Sequence, residues 1–338
     1  MLKGINRRTF LLGCAAGKLA AQYPKLAEAP AGKIAIREDR TVLDILHQGT
    51  PFAVYNFDSS QAGLYRPYFH PVFAPGQLDV TQNGEFPGSL RGHYWHRGLF
   101  IAHQKVNGCS FWEERAADCG RIVHLGFECS ESGEEGGFQE RLVWRDAQGR
   151  DMLGETRLVR ARVRGPWRML DIGSRLSALE TDVRFEKSQY NLLACRVPNS
   201  MCLAPQKERY RKLYGRLVDF RPENRFGVIS NSEGQRDEAC GGARARWCDY
   251  SGPSLDNSVA GVAILDHPAN PRHPTAWHNW NNMTIIASLT YYEPLVLKAG
   301  RSLAMNWRVI AHAGDAEEAE IATAWEEFSQ TEPLVKEA

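Results

Sequence analysis

The sequence predicts an all-β fold, a large antiparallel β-sandwich closed by a C-terminal helix. Short runs rich in β-branched and aromatic residues are set apart by Gly, Pro, Asn and Asp along most of the chain. These runs do not alternate with helical stretches, and the one plainly helical pattern lies near the end. That is the signature of a sandwich rather than of a parallel sheet wound with helices. With 338 residues, no repeat of fixed period and no Pro/Ser linker, a single domain over 33–332 is the simplest organisation.

Residues 1–31 read as a leader. Asn6-Arg7-Arg8-Thr9-Phe10-Leu11-Leu12 opens a short apolar run to Gly17, and an Ala/Pro-rich stretch follows as far as Ala31. A basic region, an apolar region and a small-residue tail in that order resemble a twin-arginine signal peptide, which predicts a periplasmic or extracellular protein. Leu11-Leu12-Gly13-Cys14 also resembles a lipoprotein box, so lipid anchoring at Cys14 is a second reading. After the leader no apolar run approaches the ~20 residues of a spanning helix, so no transmembrane segment is expected in the mature chain.

The strands begin with Ile34-Ala35-Ile36 and Thr41 to Leu46, and Gly49-Thr50-Pro51 turns into Phe52 to Tyr55. Asn83-Gly84 is a two-residue hairpin signal that puts Leu78 to Thr81 on a strand. Phe138 to Trp144 and Met152 to Arg164 flank a turn at Asp146 to Asp151 and read as another hairpin. The arginines of Thr156 to Arg164, with Glu131, Glu134, Glu135 and Glu140 nearby in sequence, read as a solvated sheet face. Trp167 to Leu179 continues the strand pattern, and 206–224 forms an excursion with room for a short helix. Asp315 is placed to cap a helix over Asp315 to Phe328, with Glu318 three residues on and Ile321, Trp325 and Phe328 on one face.

Charge and cysteines narrow the function classes. Forty-one Lys plus Arg against 40 Asp plus Glu leaves +1, too little field to hold a polyanion, so nucleic acid is excluded as a partner. Outside the leader the seven cysteines form no Cys-x-x-Cys pair, which excludes a zinc ribbon or thioredoxin motif, and their odd count leaves at least one free.

The candidate chemistry lies in two stretches. Tyr65 to Glu114 holds His70, His93, His96 and His103 among Tyr65, Tyr68, Phe69, Tyr94, Trp95 and Trp112, and Asp266 to His278 holds His267, His273 and His278. Aromatic faces bury a small ring-shaped ligand while a few polar groups orient it. His70, His267 and His273 each precede a proline, which stiffens the loop that displays them. The expectation is one pocket built from both stretches. His96, His103, His267, His273 and Glu113 are its acid–base candidates, with Glu114 or Asp266 as helpers. His70, His93, Arg97, Arg196, Asn270, Arg272, Trp277 and His278 are its substrate-binding candidates, the arginines suited to a carboxylate or an enolate-like oxygen. Three functions fit: a carbohydrate-active lyase, epimerase or hydrolase; a protein holding a divalent transition metal on His93, His96 and His103; and a non-catalytic glycan-binding module. The partner in each case is a small molecule or a glycan.

Several motifs taken together resemble a known family. They are Arg66-Pro67-Tyr68-Phe69-His70-Pro71-Val72, His93-x-x-His96-Arg97-Gly98-Leu99, Val106-Asn107-Gly108 with Phe111-Trp112, Asp266-His267-Pro268-x-Asn270-Pro271-Arg272, and Tyr292-Glu293-Pro294-Leu295. The chain resembles the family labelled "methane oxygenase PmoA", with Trp95 standing where that family often has a histidine. The resemblance implies a soluble, supersandwich-like β-fold from bacteria that process carbohydrates, with an arginine at Arg196. It does not imply methane oxidation, because the membrane enzyme of that name is built from spanning helices.

Overall fold

Two antiparallel sheets carry almost all of the strands in this computed structural model, which describes residues 34–58, 64–84, 94–214, 225–254, 256–279 and 283–337. The leader at 1–31, His93 and the return arm of the Asn83-Gly84 turn lie outside the described residues. The nine-stranded sheet runs in the order β1 (Ile34–Glu38), β2 (Val42–His47), β3 (Thr50–Asn56), β4 (Tyr68–Ala74), β6 (Leu99–His103), β12 (Asn191–Arg196), β17 (Thr284–Ser288) and β16 (Ala276–His278), with β5 (Leu78–Asp79) paired to β4. The eight-stranded sheet runs β13 (Val228–Asn231), β14 (Trp247–Pro253), β15 (Val259–Asp266), β19 (Ser302–Ala313), β10 (Trp167–Ala178), β9 (Asp151–Arg164), β8 (Gly136–Arg145) and β7 (Arg121–Glu131). A separate ribbon pairs β11 (Val183–Phe185) with β18 (Leu295–Leu297). Strand takes 51% of the chain against 8% helix and neither sheet closes into a barrel, so the fold is the all-β sandwich the sequence predicts.

Side chains alternate across each strand, so each sheet has an inner face toward its partner and an outer one. Leu99, Ile101, Leu193, Cys195, Ile285 and Trp277 turn inward from the nine-stranded sheet and join the main core with Leu170, Ile172, Val309 and Trp307 of the eight-stranded one. The outer face of the eight-stranded sheet is covered by helix α2 (Ile321–Ser329), whose Ile321, Ala324 and Phe328 pack on Trp167, Met169, Trp247, Leu265 and Ile310. Helix α1 (Ala204–Tyr214) occupies the excursion after β12.

Three local expectations meet the structure differently. The β8–β9 hairpin forms with Arg145 opposite Asp151, as its turn residues dictate. At the C-terminus the capping bonds form, Asp315 Oδ1 accepting from Glu317 N and Glu318 N at 3.0 Å, and Glu318 Oε2 accepting from Asp315 N at 3.1 Å. They close a turn rather than the helix, because Glu320 takes a left-handed backbone (φ 51°) and the helix starts only at Ile321. The arginine row of β9 is not a solvated face: burial is nearly complete at Arg157 and Arg160 and falls off toward Arg164. Arg157 and Arg160 are 2% and 3% exposed, Arg157 facing the core and Arg164 reaching Glu327 of α2 at 2.8 Å. Arg157 lies under the opposing sheet with buried Glu155 and Glu140, while on the other face Arg160 and Arg162 meet the partly exposed Glu135, Arg162 also reaches buried Asp171, and Arg164 pairs with Glu327 of α2.

Candidate functional site

A cross-strand row sets the floor of the site. Tyr68 on β4 pairs with Phe100 on β6, Phe100 with Ala194 on β12, Ala194 with Ile286 on β17, and Ile286 with His278 on β16. Register partners on neighbouring strands share a face, so all five point outward from the nine-stranded sheet. At ~4.8 Å per strand the row is about 19 Å long. Its centre carries the small Ala194, with Ala102 beside it in the same apolar cluster.

Rings from the connecting loops lie over this floor. Trp112 is 5.0 Å from Phe100, centroid to centroid, and 5.5 Å from Tyr190, which is in turn 4.9 Å from His278. His96 stacks on Phe100 at 6.5 Å and meets the edge of Trp112 at 5.7 Å. Trp95, immediately before it, packs against the same cluster.

Charge collects at the Tyr68 end. Arg97 holds Glu114 through two bonds of 2.7 Å, Nε to Oε1 and Nη2 to Oε2, and its guanidinium lies 5.7 Å from the Tyr68 ring centre. Arg66 approaches the same carboxylate at 3.5 Å, sits 4.7 Å over Phe100, and donates to the carbonyls of Phe111 and Trp95. Arg66, Arg97 and Glu114 are 0%, 4% and 2% exposed, a buried cluster in which two cations share one carboxylate. Burial lowers the Arg66 guanidinium to about 10, and Glu114 pulls against that shift. Arg196, the next outward position beyond Ala194 on β12, bonds Asn199 Oδ1 at 3.1 Å.

Gly98 explains how Arg97 comes so close. A Cβ there would stand 2.1 Å from Phe69 O and 2.9 Å from His70 Cβ, and its φ is +57°. Gly98→Ala is therefore expected to lower stability by about 1–3 kcal/mol through backbone strain alone. A urea midpoint equal to that of the unaltered protein would contradict this account of the close approach.

At the other end of the row, His278 is buried and its Nε2 has no hydrogen-bond partner among the described residues. Burial holds its imidazole down to about 4, so it is uncharged at neutral pH. A neutral imidazole nitrogen can take a proton from a substrate or return one. Asn279 Oδ1 beside it and Gln82 Nε2 near Arg196 are likewise buried without partners among the described residues.

Of the residues singled out from sequence, the structure brings His96, Arg97, Arg196 and His278 to this outer face. His103, at the inward-facing end of β6, bonds Thr290 Oγ1 at 3.0 Å and packs 5.4 Å from Phe185 in the main core, away from His96. His70 bonds Thr81 Oγ1 at 3.0 Å, and Glu113 accepts from Ser110 Oγ at 2.8 Å. Trp277 points into the core and donates to Ala245 O at 2.8 Å. Arg272 donates to the carbonyls of Leu289, Glu293 and Pro294 and so clamps a loop.

His267, Asn270 and His273 form a second cluster around Asp266 and α2. His273 Nδ1 lies 2.7 Å from Asp266 Oδ2, Asn270 Nδ2 donates to Asp266 Oδ1 at 2.7 Å, and the His273 ring stacks on Trp325. The His267 ring packs on Phe328, and its Nε2 lies 3.0 Å from Thr331 O. Among the described residues no three His, Cys, Asp or Glu side chains converge as metal ligands, and His93 lies outside them. The sequence pointed to Tyr68 and Trp112 only as members of an aromatic stretch, and it gave no site role to Arg66, Tyr190, Gln82 or Asn279. For Tyr68 and Arg66 the signal was present in Arg66-Pro67-Tyr68-Phe69, where alternation separates Tyr68 from the inward Phe69.

These features define an antiparallel two-sheet sandwich with an aromatic, arginine-bearing outer face. The chain belongs to the family described as "Family of unknown function (DUF6807)", which matches residues 42–326. That match overturns the resemblance to methane oxygenase PmoA, since the family found carries no such label and no assigned activity. No curated protein matches the chain. Among solved structures it is similar to a variant of a glycoside hydrolase family 97 enzyme from Pseudoalteromonas sp. strain K8, at 13% identity over 85% of this chain and 35% of that one, TM-score 0.32. A second structure of that enzyme, in complex with panose, gives 13% identity, the same coverage of both chains and a TM-score of 0.30. A galactose mutarotase related enzyme from Lactobacillus acidophilus gives 9% identity over 82% of this chain and 97% of that one, TM-score 0.26. The chain thus spans about a third of the length of the Pseudoalteromonas enzyme. Among the described residues no helix is long and apolar enough to cross a membrane.

Proposed function

We propose that the outer face of the nine-stranded sheet takes a carbohydrate-derived small molecule and acts on it by acid–base chemistry, in a protein exported on residues 1–31. The observation that carries this reading is the run of ring contacts from Trp112 through Tyr190 to His278, the last residue of the Tyr68–His278 row. Sugar rings present apolar C–H faces and a rim of hydroxyls, and this face offers flat rings with buried polar atoms between them. His278, neutral and buried, is the acid–base group, and His96 against Trp112 frames the opposite side. The basic, apolar and small-residue order of the first 31 residues supports export.

The test is calorimetric titration of the full chain with a panel of neutral and acidic monosaccharides and disaccharides, with products followed by mass spectrometry. Trp112→Ala should weaken binding roughly tenfold, about 1.4 kcal/mol. His278→Gln should keep binding within a few-fold and lose turnover. A panel that releases no heat and yields no product would sink the proposal.

A further inference from the structure

We infer that the ligand of this face is an acid, a sugar whose carboxylate seats beside Arg196, two residues along β12 from the centre of the row. The inference rests on the reading above that the face takes a carbohydrate-derived molecule.

Two more buried cations meet at the end of β12. Arg196 and Lys207 are 1% and 2% exposed. Burial pushes the Cys202 thiol up to about 12 while both cations pull against it, so they share its neighbourhood. Asn199 ties Arg196 to Gln82: Arg196 Nη2 donates to Asn199 Oδ1 at 3.1 Å, and Asn199 N donates to Gln82 Oε1 at 2.8 Å. The second bond fixes which way the Gln82 amide is turned, because a backbone N–H needs the oxygen. Its Nε2 is left buried with no acceptor among the described residues, in a residue 8% exposed.

A buried amide donor without an acceptor loses its water partners for nothing in return, and native structures seldom keep one that nothing fills. A ligand oxygen placed there satisfies Gln82. A hydroxyl would be enough for the amide alone, but a carboxylate also uses the cationic surroundings and offers lone pairs to several donors at once. The His278 end has the opposite character. His278 is uncharged and its buried Nε2 has no hydrogen-bond partner among the described residues, which suits a ligand hydroxyl. Arg196 and His278 are two strand steps and two residues apart, about 12 Å between Cα atoms. Allowing for the reach of both side chains, one hexuronic acid ring bridges that span.

The full chain is titrated with galacturonic and glucuronic acids, their methyl esters, galactose, glucose and the corresponding disaccharides. The acids should bind at least tenfold more tightly than their own methyl esters, and added salt should weaken the acids alone. Gln82→Glu keeps an oxygen for Asn199 N and sets a negative charge where the donor stood. It should weaken the acids at least tenfold more than it weakens their esters, which lose the amide donor but meet no like charge. Should that variant fail to fold, the comparison of acids with esters and its salt dependence still decide the matter on the unaltered chain. Esters and neutral sugars binding as tightly as the acids would overturn the carboxylate inference and leave the sugar-binding reading standing. No heat from any of these probes would remove both.

Discussion

Arg157→Met is expected to lower the stability of the protein by about 3–5 kcal/mol, the usual cost of leaving a buried charge without its partner. Arg157 lies between the sheets, with its Nη2 2.8 Å from Glu155 Oε1 and its Nη1 donating to Tyr55 OH at 2.8 Å. Tyr55 in turn donates to Glu140, whose other oxygen is 2.6 Å from His124 Nδ1. Trp144 Nε1 and Ser174 Oγ hold Glu155 at 2.7 and 2.8 Å. Methionine fills much of the arginine volume, yet Glu155 and Glu140 would remain in the core without their cation. Urea unfolding measures the loss, and adding Glu155→Gln to the variant should recover part of it. A midpoint that Arg157→Met leaves unmoved would show that the network is neutral without the arginine.

The second large effect is a change in pH dependence at His103. Burial drives its imidazole from 6.5 down to about 3, so below pH 6.5 the unfolded chain binds a proton that the folded one refuses. Folded stability tied to this group is complete above pH 6.5 and drains away as the pH falls toward 3. The rate is about 1.4 kcal/mol per pH unit, on the order of 5 kcal/mol in all. Asp79 and Asp171, raised by burial to about 6, act in the opposite sense, so a single stability curve mixes the contributions. His103→Asn isolates one of them, since asparagine can still accept from Lys105 N as His103 Nδ1 does. The gap in stability between the unaltered protein and the variant should shift in the variant's favour by about 1.4 kcal/mol per unit between pH 6.5 and 4. Parallel curves would rule out a proton-free His103.

Local signals mark most of the strands, and the β8–β9 hairpin is legible down to its turn, but the strand expected over Leu78 to Thr81 forms only at Leu78–Asp79 and the helix expected from Asp315 starts at Ile321. The site was legible only in part. β12, β16 and β17 are buried on both faces, so Ala194, His278 and Ile286 lack the polar contrast that would reveal which way each points. In Ala276-Trp277-His278 a single residue step decides that tryptophan enters the core and histidine the outer face, and nothing in the letters sets the phase. The two histidine stretches look alike in composition, yet Asp266 draws His273 and Asn270 toward itself while His278 faces Tyr190. The buried ladder of β9 was hidden for a related reason: its arginines look solvated until the second sheet and α2 are laid over them.

The position of β19 bears on how the chain can reach this state. β19 lies between β10 and β15, and those two strands do not pair with each other. During synthesis, β7 to β10 and later β13 to β15 can form as two meanders, each ending in an open strand with unmet backbone groups. Only when residues 302–313 emerge can one strand zip both edges together. Long-range closure of this kind is slow, and exposed edges are where chains of this sort stick to one another. A ribosome paused before β19 would therefore hold two sticky half-sheets, and the yield of native protein would depend on how quickly that one strand arrives.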